Sequence, residues 1–331
     1  MTRTGETAAQ RETPPEPAKQ QRAPRRPGDL VFSTAARAAG TLILIILAAV
    51  AVFLVIEAWP AIELSPAELS SKVSFVEDGD SLLTYVGPLV FGTILAAVIA
   101  LVIATPVSIG VALFISHYSP RRVAQVFGYI VDLLAAIPSV VYGLWGALWL
   151  MPRVAPFFNW LSSTLGFIPL FEGPVATPAR TILTAGIVLA VMILPIITAV
   201  TREVFLQTPP LHQEAALALG ATRWEMVRLA VFPFARSGIV SATMLGLGRA
   251  LGETMAVAMV LSPGLTYSIF ILQAGQHQNI AANIALKFPE ANQIGVNVLI
   301  FTGLVLFVIT LVVNMFARWI VSRRAEFSGA N

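Results

Sequence analysis

Two opposite charges stand four residues apart in a long apolar stretch of the chain. The segment GLGRALGETMAV, residues 246–257, places Arg249 and Glu253 among Leu, Met, Ala, Val and Gly. The planar guanidinium of arginine suits the oxygens of a phosphate or a carboxylate. A charge at the centre of a bilayer costs about 3 kcal/mol, so ionisable residues inside a membrane span are functional by default. The pair therefore predicts an anion site in which Glu253 holds Arg249 until the anion arrives.

The spacing of the charges and the small residues around them guide this interpretation. Residues four apart share one face of an α-helix, so Glu253 is predicted to neutralise Arg249. An ion pair that serves only the structure is the alternative. Two features favour the functional interpretation. Arginine before glutamate is the weaker order for a helical pair, and Gly246, Gly248 and Gly252 thin the helix face enough for a ligand or backbone to approach.

Hydroxyl groups nearby could supply the further donors that an oxyanion needs. Ser139 and Tyr142 lie in AAIPSVVYGLW, residues 135–145, where Pro138 could loosen a helix and free backbone N–H groups. Thr254 follows the charged pair directly. Ordinary hydrogen bonds between helices are the alternative role for these hydroxyls. The predicted substrate path comprises Arg249, Glu253, Ser139, Tyr142 and Thr254.

The amino-acid composition indicates what kind of secondary structure carries these side chains. Apolar residues make up 56% of the 331 residues and charged residues 12%, about half the charged share of a soluble protein. The apolar residues come in runs of about 18 or more, the length of a membrane-spanning helix. The chain is therefore predicted to be an all-α polytopic membrane protein with six transmembrane helices. These are predicted at about 40–58, 86–115, 124–150, 181–200, 234–261 and 295–320.

The composition also excludes several kinds of function. Cysteine is absent, which excludes a disulfide framework and a thiolate metal site. The three histidines do not stand at ligand spacing, so no catalytic metal is expected. The six spans exclude a soluble enzyme, and no nucleic acid partner is expected.

Three regions are predicted along the chain. Residues 1–36 are rich in Pro, Arg, Glu, Gln and Thr, which predicts a disordered cytoplasmic tail. Residues 37–324 form the six-helix transmembrane domain, which carries a long cytoplasmic loop at 202–233. Residues 325–331 form a cytoplasmic C-terminal tail.

The distribution of positive charge predicts the orientation of the chain. Sixteen of the 21 lysines and arginines flank the spans on the side of the N terminus, and four lie on the other side. Positively charged loops stay inside, so both termini are predicted to be cytoplasmic in a multi-pass protein of the cell membrane (plasma or inner membrane). Asp132, near the inner end of the third span, could pair with Arg121, with Arg122 or with a partner.

The loop between the fourth and fifth spans begins with a predicted helix. In QTPPLHQEAALALGATRWEMVRLAVFPFA, residues 207–235, Thr208 could cap a helix that Pro209 starts. The body of this helix is rich in Ala and Leu. Gly220 follows where a helix would stop in the left-handed conformation.

A second helix is predicted directly after this turn. Thr222 and Glu225 have the spacing of a capping box, and the helix would run on to Pro233. Two short helices around a glycine form a small, rigid knob. A plain connecting loop is the alternative, but the Ala- and Gly-rich surface allows a partner to approach very closely.

The segment EAALALGATRWEMVRLAVFP resembles the EAA motif of the membrane subunits of ABC importers. Glu214, Ala215, Ala216, Gly220 and Pro233 match that motif at its spacing, whereas Ala230 and Phe232 replace its Ile and Leu. In that family the loop carries the coupling helix, which docks in a groove of the cytoplasmic ATPase. The resemblance implies a type I ABC importer permease fold. The residues implied in ATPase coupling are Glu214, Ala215, Ala216, Gly220 and Ala221.

The chain lacks the sequence of an ATPase of its own. A P-loop needs Gly-Lys followed by Ser or Thr, and none of the three lysines follows a glycine. The energy for transport must therefore come from another subunit or from an ion gradient. The coupling loop favours an ABC permease over a secondary transporter or channel.

The segments IPSVVYGLW and GLGRALGETMAV also resemble the membrane subunits of phosphate ABC importers, the C-type permeases in particular. By position, Arg249 and Glu253 match charged residues of that family's translocation path. The resemblance implies a heterodimer with a homologous A-type permease, two ATPase subunits on the cytoplasmic side and an extracytoplasmic phosphate-binding protein. ATP and Mg²⁺ would be used by the partner ATPase, and no cofactor is expected on this chain. Membrane lipid is expected as a further partner. A permease for sulfate or molybdate is the alternative within the same architecture.

Overall fold

The computed structural model describes residues 27–322, and its regular elements are helical, with no strand in this range. The α-helices are α1 (Pro27–Ile62), α2 (Pro66–Lys72), α3 (Leu82–Leu113), α4 (Arg121–Ala135), α5 (Ser139–Trp145), α6 (Met151–Leu165), α7 (Ile182–Leu206), α8 (Pro210–Ala218), α9 (Arg223–Met226), α10 (Phe232–Leu251), α11 (Met255–Val260), α12 (Ile280–Lys287) and α13 (Gln293–Ser322). Three π-helical segments extend or join them: Phe114–Tyr118, Gly146–Leu150 and Val227–Val231. Two short 3₁₀ turns lie at Pro169–Phe171 and Phe288–Glu290. The prediction of an all-α protein is confirmed.

The chain divides into two compact units, and the boundary lies within α1, after Val50. The described part of the first unit is the start of that helix. Residues 27–36, predicted to belong to a disordered tail, are helical. The rest of that predicted tail, residues 1–26, and the predicted tail at 325–331 lie outside the described residues.

Among residues 27–322, five helices are long and apolar enough to cross a membrane, and a bent pair makes a sixth candidate. The five are Val31–Ile62, Leu82–Tyr118, Ile182–Leu206, Arg223–Leu251 and Gln293–Trp319. The bent pair, Arg121–Ala135 with Ser139–Leu165, turns by 93°.

The third predicted span, 124–150, is therefore not one continuous helix. Its bend lies just before Pro138, between α4 and α5. Proline has no N–H to donate, and its ring keeps the preceding Ile137 out of the helical conformation. The same proline that was expected to loosen a helix instead ends one helix and precedes another.

The core of the second unit lies where α3, α7 and α10 pack together. Small residues permit this close approach: an added methyl group on Gly186 would collide with Ile99, and one on Gly246 would collide with Ile197. Larger buried side chains, such as Leu189, fill the spaces between the helices. Close packing around small residues is the usual way in which membrane helices associate. It fixes α10 firmly against α7.

An ion pair joins α4 to α7 at the end of α7 that precedes α8. Arg202 Nη2 lies 3.8 Å from Asp132 Oδ2. The guanidinium also lies against Gly128, where an added methyl group would collide with Nη1. Asp132 therefore pairs with Arg202, rather than with either arginine at the start of α4.

Candidate functional site

Helix α10 ends immediately after the arginine predicted to bind an anion. Its last residue is Leu251, and α11 begins only at Met255. Gly252 follows the helix with φ −92° and ψ 3°, outside the α-helical conformation. Glycine loses more conformational freedom in a helix than any other residue, so it favours a break here. The predicted fifth span, 234–261, is thus interrupted at residues 252–254.

The predicted ion pair between Arg249 and Glu253 is wrong. Glu253 lies beyond the end of α10, so it is not placed one helical turn above Arg249. Its side chain turns the other way: Oε1 accepts a hydrogen bond of 3.0 Å from the N–H of Ala256 in the first turn of α11. No ion pair within 4.0 Å joins the two side chains in the described part of the chain. Glu253 is buried and stabilises the start of α11.

A buried asparagine, which the sequence did not reveal, holds this interruption in place. Asn279 Nδ2 donates a hydrogen bond of 2.7 Å to the Glu253 carbonyl oxygen. Its Oδ1 accepts a bond of 3.0 Å from the N–H of Ala282 and so caps α12. The neighbouring Ile280 N–H donates to Thr93 Oγ1 of α3 at 3.0 Å. The cap has a sequence signal, an asparagine before an apolar helical segment, but the bond to Glu253 spans 26 residues and has none.

Arg249 itself faces a groove between α10 and α13. The groove has a volume of about 620 Å³, and Ser241, Gly248, Asn314 and Arg318 are among its lining residues. The face is open at Gly248, where an added methyl group would meet no atom within 4 Å. Among residues 27–322, no carboxylate lies within salt-bridge distance of Arg249. Its guanidinium is therefore available to an anion in this groove.

The predicted hydroxyl donors lie at the two helix interruptions. Tyr142 Oη donates a hydrogen bond of 2.9 Å to the carbonyl oxygen of Leu134, across the bend between α4 and α5. Ser139 is half-buried in the first turn of α5, and none of the hydrogen bonds within residues 27–322 involves its side chain. Thr254 Oγ1 donates to the Gly252 carbonyl oxygen at 3.3 Å.

The coupling loop begins with α8, one residue later than predicted. The predicted cap by Thr208 is wrong, because Pro209 precedes the helix and the Thr208 hydroxyl is buried without a hydrogen bond. A residue that precedes proline is kept out of the α-helical conformation, so the helix starts at Pro210. Gln213 Nε2 instead donates to the Thr208 carbonyl oxygen at 3.1 Å.

The turn after α8 has the predicted geometry. Gly220 has φ +88°, in the left-handed region. The Ala221 N–H donates to the Ala216 carbonyl oxygen at 3.2 Å, and the Gly220 N–H to that of Leu217 at 3.0 Å. These two bonds make the glycine C-cap known as the Schellman motif.

The predicted capping box at the start of α9 is also confirmed. Thr222 Oγ1 accepts a bond of 3.3 Å from the Glu225 N–H, and Glu225 Oε2 accepts one of 2.7 Å from the Thr222 N–H. Both partners belong to the same short stretch of chain. The geometry of this turn is therefore fixed locally.

The second helix does not end at Pro233, contrary to the prediction. The π-helical segment Val227–Val231 joins α9 to α10, and the Phe232 N–H donates to the Val227 carbonyl oxygen. Proline cannot donate the next backbone bond, and this wider turn lies directly before it. One continuous helix therefore runs from Arg223 to Leu251.

The surface of the knob formed by α8 and α9 carries large exposed apolar side chains. Leu211 is 73% exposed and Leu219 89%. Trp224 is also exposed, while Glu214 and Ala215 lie on the exposed side of α8. Half-buried Ala216 packs instead against a buried cluster that includes Phe205 of α7 and Val227 of the π-helical segment, and Ala221 is half-buried. Exposed apolar groups of this size are typical of a surface that binds another protein or a membrane.

Comparison with known protein families finds a match that includes both the knob and the interrupted fifth span. Residues 104–326 match the family described as binding-protein-dependent transport system inner membrane component. That range includes the knob, the interrupted fifth span and the groove beside Arg249.

Curated relatives match nearly the whole chain. The phosphate transport system permease protein PstC 2 of Mycobacterium tuberculosis is 44% identical over 307 residues, which cover 92% of this chain and 94% of that protein. PstC of Mycobacterium leprae is 44% identical over 83% of this chain and 88% of its own. PstC of Mesorhizobium japonicum is 38% identical over 91% of this chain and 92% of its own.

Among solved structures, a bacterial ABC transporter involved in the import of the acidic polysaccharide alginate has a similar fold. Its matched chain superposes with a TM-score of 0.51 at 18% identity, over 89% of this chain and 99% of that chain. At this level of identity the likeness concerns the fold alone, and it confirms the predicted ABC importer permease fold.

Proposed function

The chain belongs to the binding-protein-dependent transport system inner membrane component family, and within it to the PstC permeases, and we propose that it is the membrane-spanning permease subunit of an ATP-driven importer of inorganic phosphate. It is a transport component. The observation that carries this function is the continuous helix Arg223–Leu251, with the exposed knob at one end and Arg249 near the other. A motor that acts on the knob thus acts on the helix that carries the anion site.

Phosphate meets Arg249 in the membrane, where the guanidinium offers two parallel donors to its oxygens. Ser139 supplies a further hydroxyl donor at the start of α5, whereas Tyr142 and Thr254 donate to the anion only after they release the carbonyl oxygens of Leu134 and Gly252. Because Glu253 caps α11 instead of holding Arg249, the anion does not have to displace a carboxylate. Glu253 acts as a positioning residue, which keeps the interruption after Arg249 in shape.

The exposed apolar surface of the knob is the docking site for an ATPase subunit. Leu219 and Trp224 enter a groove of that subunit, and Gly220 supplies the tight turn between the two helices. The complete importer contains a homologous A-type permease, two ATPase subunits and an extracytoplasmic phosphate-binding protein. ATP and Mg²⁺ bind to the ATPase subunits, and the knob and both termini face the cytoplasm.

Uptake by the reconstituted complex tests this function. The chain is purified with its A-type permease and ATPase subunits, placed in liposomes, and supplied with the binding protein and labelled phosphate. ATP-dependent accumulation of phosphate is the expected result. Competition by sulfate and molybdate identifies the anion: inhibition by unlabelled phosphate alone supports phosphate, and uptake of sulfate or molybdate in its place contradicts it. Liposomes that contain this chain alone should accumulate nothing, and phosphate movement there would indicate a stand-alone transporter.

A further inference from the structure

We propose that an oxyanion leaves Arg249 along one face of α10, where Arg318 and then Arg236 bind it in turn on the way to the α8 end of the bundle. The inference rests on the proposed function, because it names the path that phosphate takes after the site at Arg249. It assigns a transport role to two arginines outside the predicted site.

Two adjoining grooves form this path. The groove of about 620 Å³ between α10 and α13 has Arg249 and Arg318 among its lining residues. A second groove, of about 400 Å³, is lined by residues that include Pro233 and Arg236. Val240 lines both, so they meet along α10. At 1.5 Å of rise per residue, the shared face from Pro233 to Arg249 is about 24 Å long, most of the thickness of a bilayer core.

The charges that line this face are all positive. Neither groove has an Asp or Glu among its lining residues. In the described part of the chain, none of the three arginines forms an ion pair within 4.0 Å. Arg202, by contrast, forms an ion pair with Asp132. A row of unpaired guanidinium groups attracts anions and repels cations along the whole face.

The spacing of the arginines suits stepwise movement. Arg249 and Arg236 are 13 residues apart, which is about 20 Å along the helix. Arg318 approaches the same face from α13, in the groove that begins at Arg249. Conduction requires several sites that each bind weakly enough to release the ion to the next. Asn314 offers a neutral amide donor in the same groove as Arg318, which can hold an oxyanion without trapping it.

A phospholipid headgroup shares the chemistry of free phosphate and could bind the same arginine. The observations favour the free oxyanion, because the groove around Arg318 continues to Arg249, which lies about 24 Å along α10 from Pro233. A lipid headgroup stays at the membrane surface. The liposome composition therefore separates the two sources.

The experiment compares single variants of the complete complex in liposomes. Arg318→Gln should lower the initial rate of labelled phosphate uptake by about tenfold, the effect of losing one favourable contact on the path. Arg236→Gln should lower it less, because Arg236 lines the second groove, which does not include Arg249, and Arg318→Lys should restore part of the rate. ATP hydrolysis stimulated by the binding protein should stay at the wild-type level. Arg121→Gln, an exposed arginine that lines neither groove, is the matched control and should not change uptake.

Three results would overturn the inference. The first is an uptake rate of Arg318→Gln equal to that of Arg121→Gln. The second is an equal loss of uptake and of stimulated ATP hydrolysis, which indicates a structural defect. The third is a loss that occurs only in liposomes containing anionic phospholipid and vanishes in phosphatidylcholine alone, which assigns Arg318 to a lipid headgroup.

Two further comparisons separate a failure of the exit path from a failure of assembly and from a failure of the proposed function. If Arg318→Gln does not assemble, Arg318→Met, a neutral residue of similar length, is judged by the same two rates. If the wild-type complex itself accumulates no phosphate, the proposed function fails. If the wild-type complex is active and Arg249→Gln is inactive while Arg318→Gln and Arg236→Gln match the control, only the exit path fails.

Discussion

The polypeptide between residues 208 and 261 breaks its helices twice, and the two breaks are built in opposite ways. The turn at Gly220 is exposed, and its bonds come from residues within a few positions: Ala216, Leu217 and the Thr222–Glu225 box. The break after Leu251 is buried at Glu253, although Gly252 is exposed, and its key bond comes from buried Asn279, 26 residues further along the chain.

This difference indicates what each break has to do. The exposed turn holds its own shape, so it can bear the push of a partner without support from the rest of the protein. The buried break depends on α12 and, through Ile280 and Thr93, on α3. Its shape therefore depends on how α3 and α12 pack. The first break suits a coupling element, and the second suits a site that opens and closes.

The largest effect is expected from Arg249→Gln, which removes the unpaired charge beside the buried break. Uptake of phosphate by the reconstituted complex should fall by about a hundredfold or more, since a hundredfold loss corresponds to about 2.7 kcal/mol, comparable to one charge contact inside a membrane. The complex should still assemble and bind its ATPase, because the knob is untouched. Normal uptake by this variant would refute the role of Arg249.

The second-largest effect, a loss of ATPase binding, is expected from Leu219→Asp at the exposed turn. Losing a buried leucine contact costs about 1.5–3 kcal/mol, so the ATPase subunits should bind about ten- to a hundredfold more weakly. Binding of ATPase to the permease pair in detergent measures this change. Phe167→Asp is the control, because Phe167 is also exposed, at 79%, but lies in the loop before α7, at the end opposite α8. Equal ATPase binding by both variants would show that the knob surface is not the docking site.

A smaller effect, on stability, is expected from Asn279→Ala at the buried break. The substitution leaves the Glu253 carbonyl and the Ala282 N–H buried without partners. Each unsatisfied group lowers the free energy of unfolding by about 1–3 kcal/mol. Asn292→Ala is the matched control: Asn292 also donates to a carbonyl, that of Lys72, and also accepts from an N–H, that of Gly295, but it is exposed. Thermal unfolding should show the larger loss for Asn279. Equal losses would contradict the dependence of the break on buried bonds.

The smallest effect is expected from Thr222→Ala at the exposed turn. Loss of a helix N-cap costs about 1 kcal/mol, and water can replace the bond to Glu225. Thr222→Ser keeps the hydroxyl and should behave like the wild type in thermal unfolding. A loss for Thr222→Ala larger than that for Asn279→Ala would reverse the comparison between the two breaks.

The same contrast explains how much the sequence could predict. Hydrophobic run length predicted where the spans lie, though not the bend in the third or the interruption in the fifth. Gly220 with the Thr222–Glu225 box predicted the turn of the knob, because these signals lie within one helix or turn. The pairing of Arg249 with Glu253 was wrong because the break after Leu251 depends on Asn279, which no local pattern connects to it. For the same reason the partner of Asp132 proved to be Arg202, 70 residues away in the chain.

The prolines indicated positions at which a helix is altered, but not whether the helix bends or continues there. Pro138 separates two helices with a 93° bend, whereas Pro233 lies within a helix that continues. The difference lies in the π-helical turn before Pro233, which bonds Phe232 to Val227. A pattern of residue types does not specify whether such a turn will form, since its neighbours on α7 and α8 help to hold it.

The continuous helix from Arg223 to Leu251 can also amplify a movement at one end into a larger displacement at the other. About 35 Å separates Met226 from Arg249 along its axis, so a tilt of about 10° at the knob carries the guanidinium sideways by about 6 Å. That distance exceeds the reach of a hydrogen bond. If an ATPase docks on the knob as proposed, a small rotation of that subunit would be enough to move this charge out of reach of a bound anion, with no bending of the helix between them.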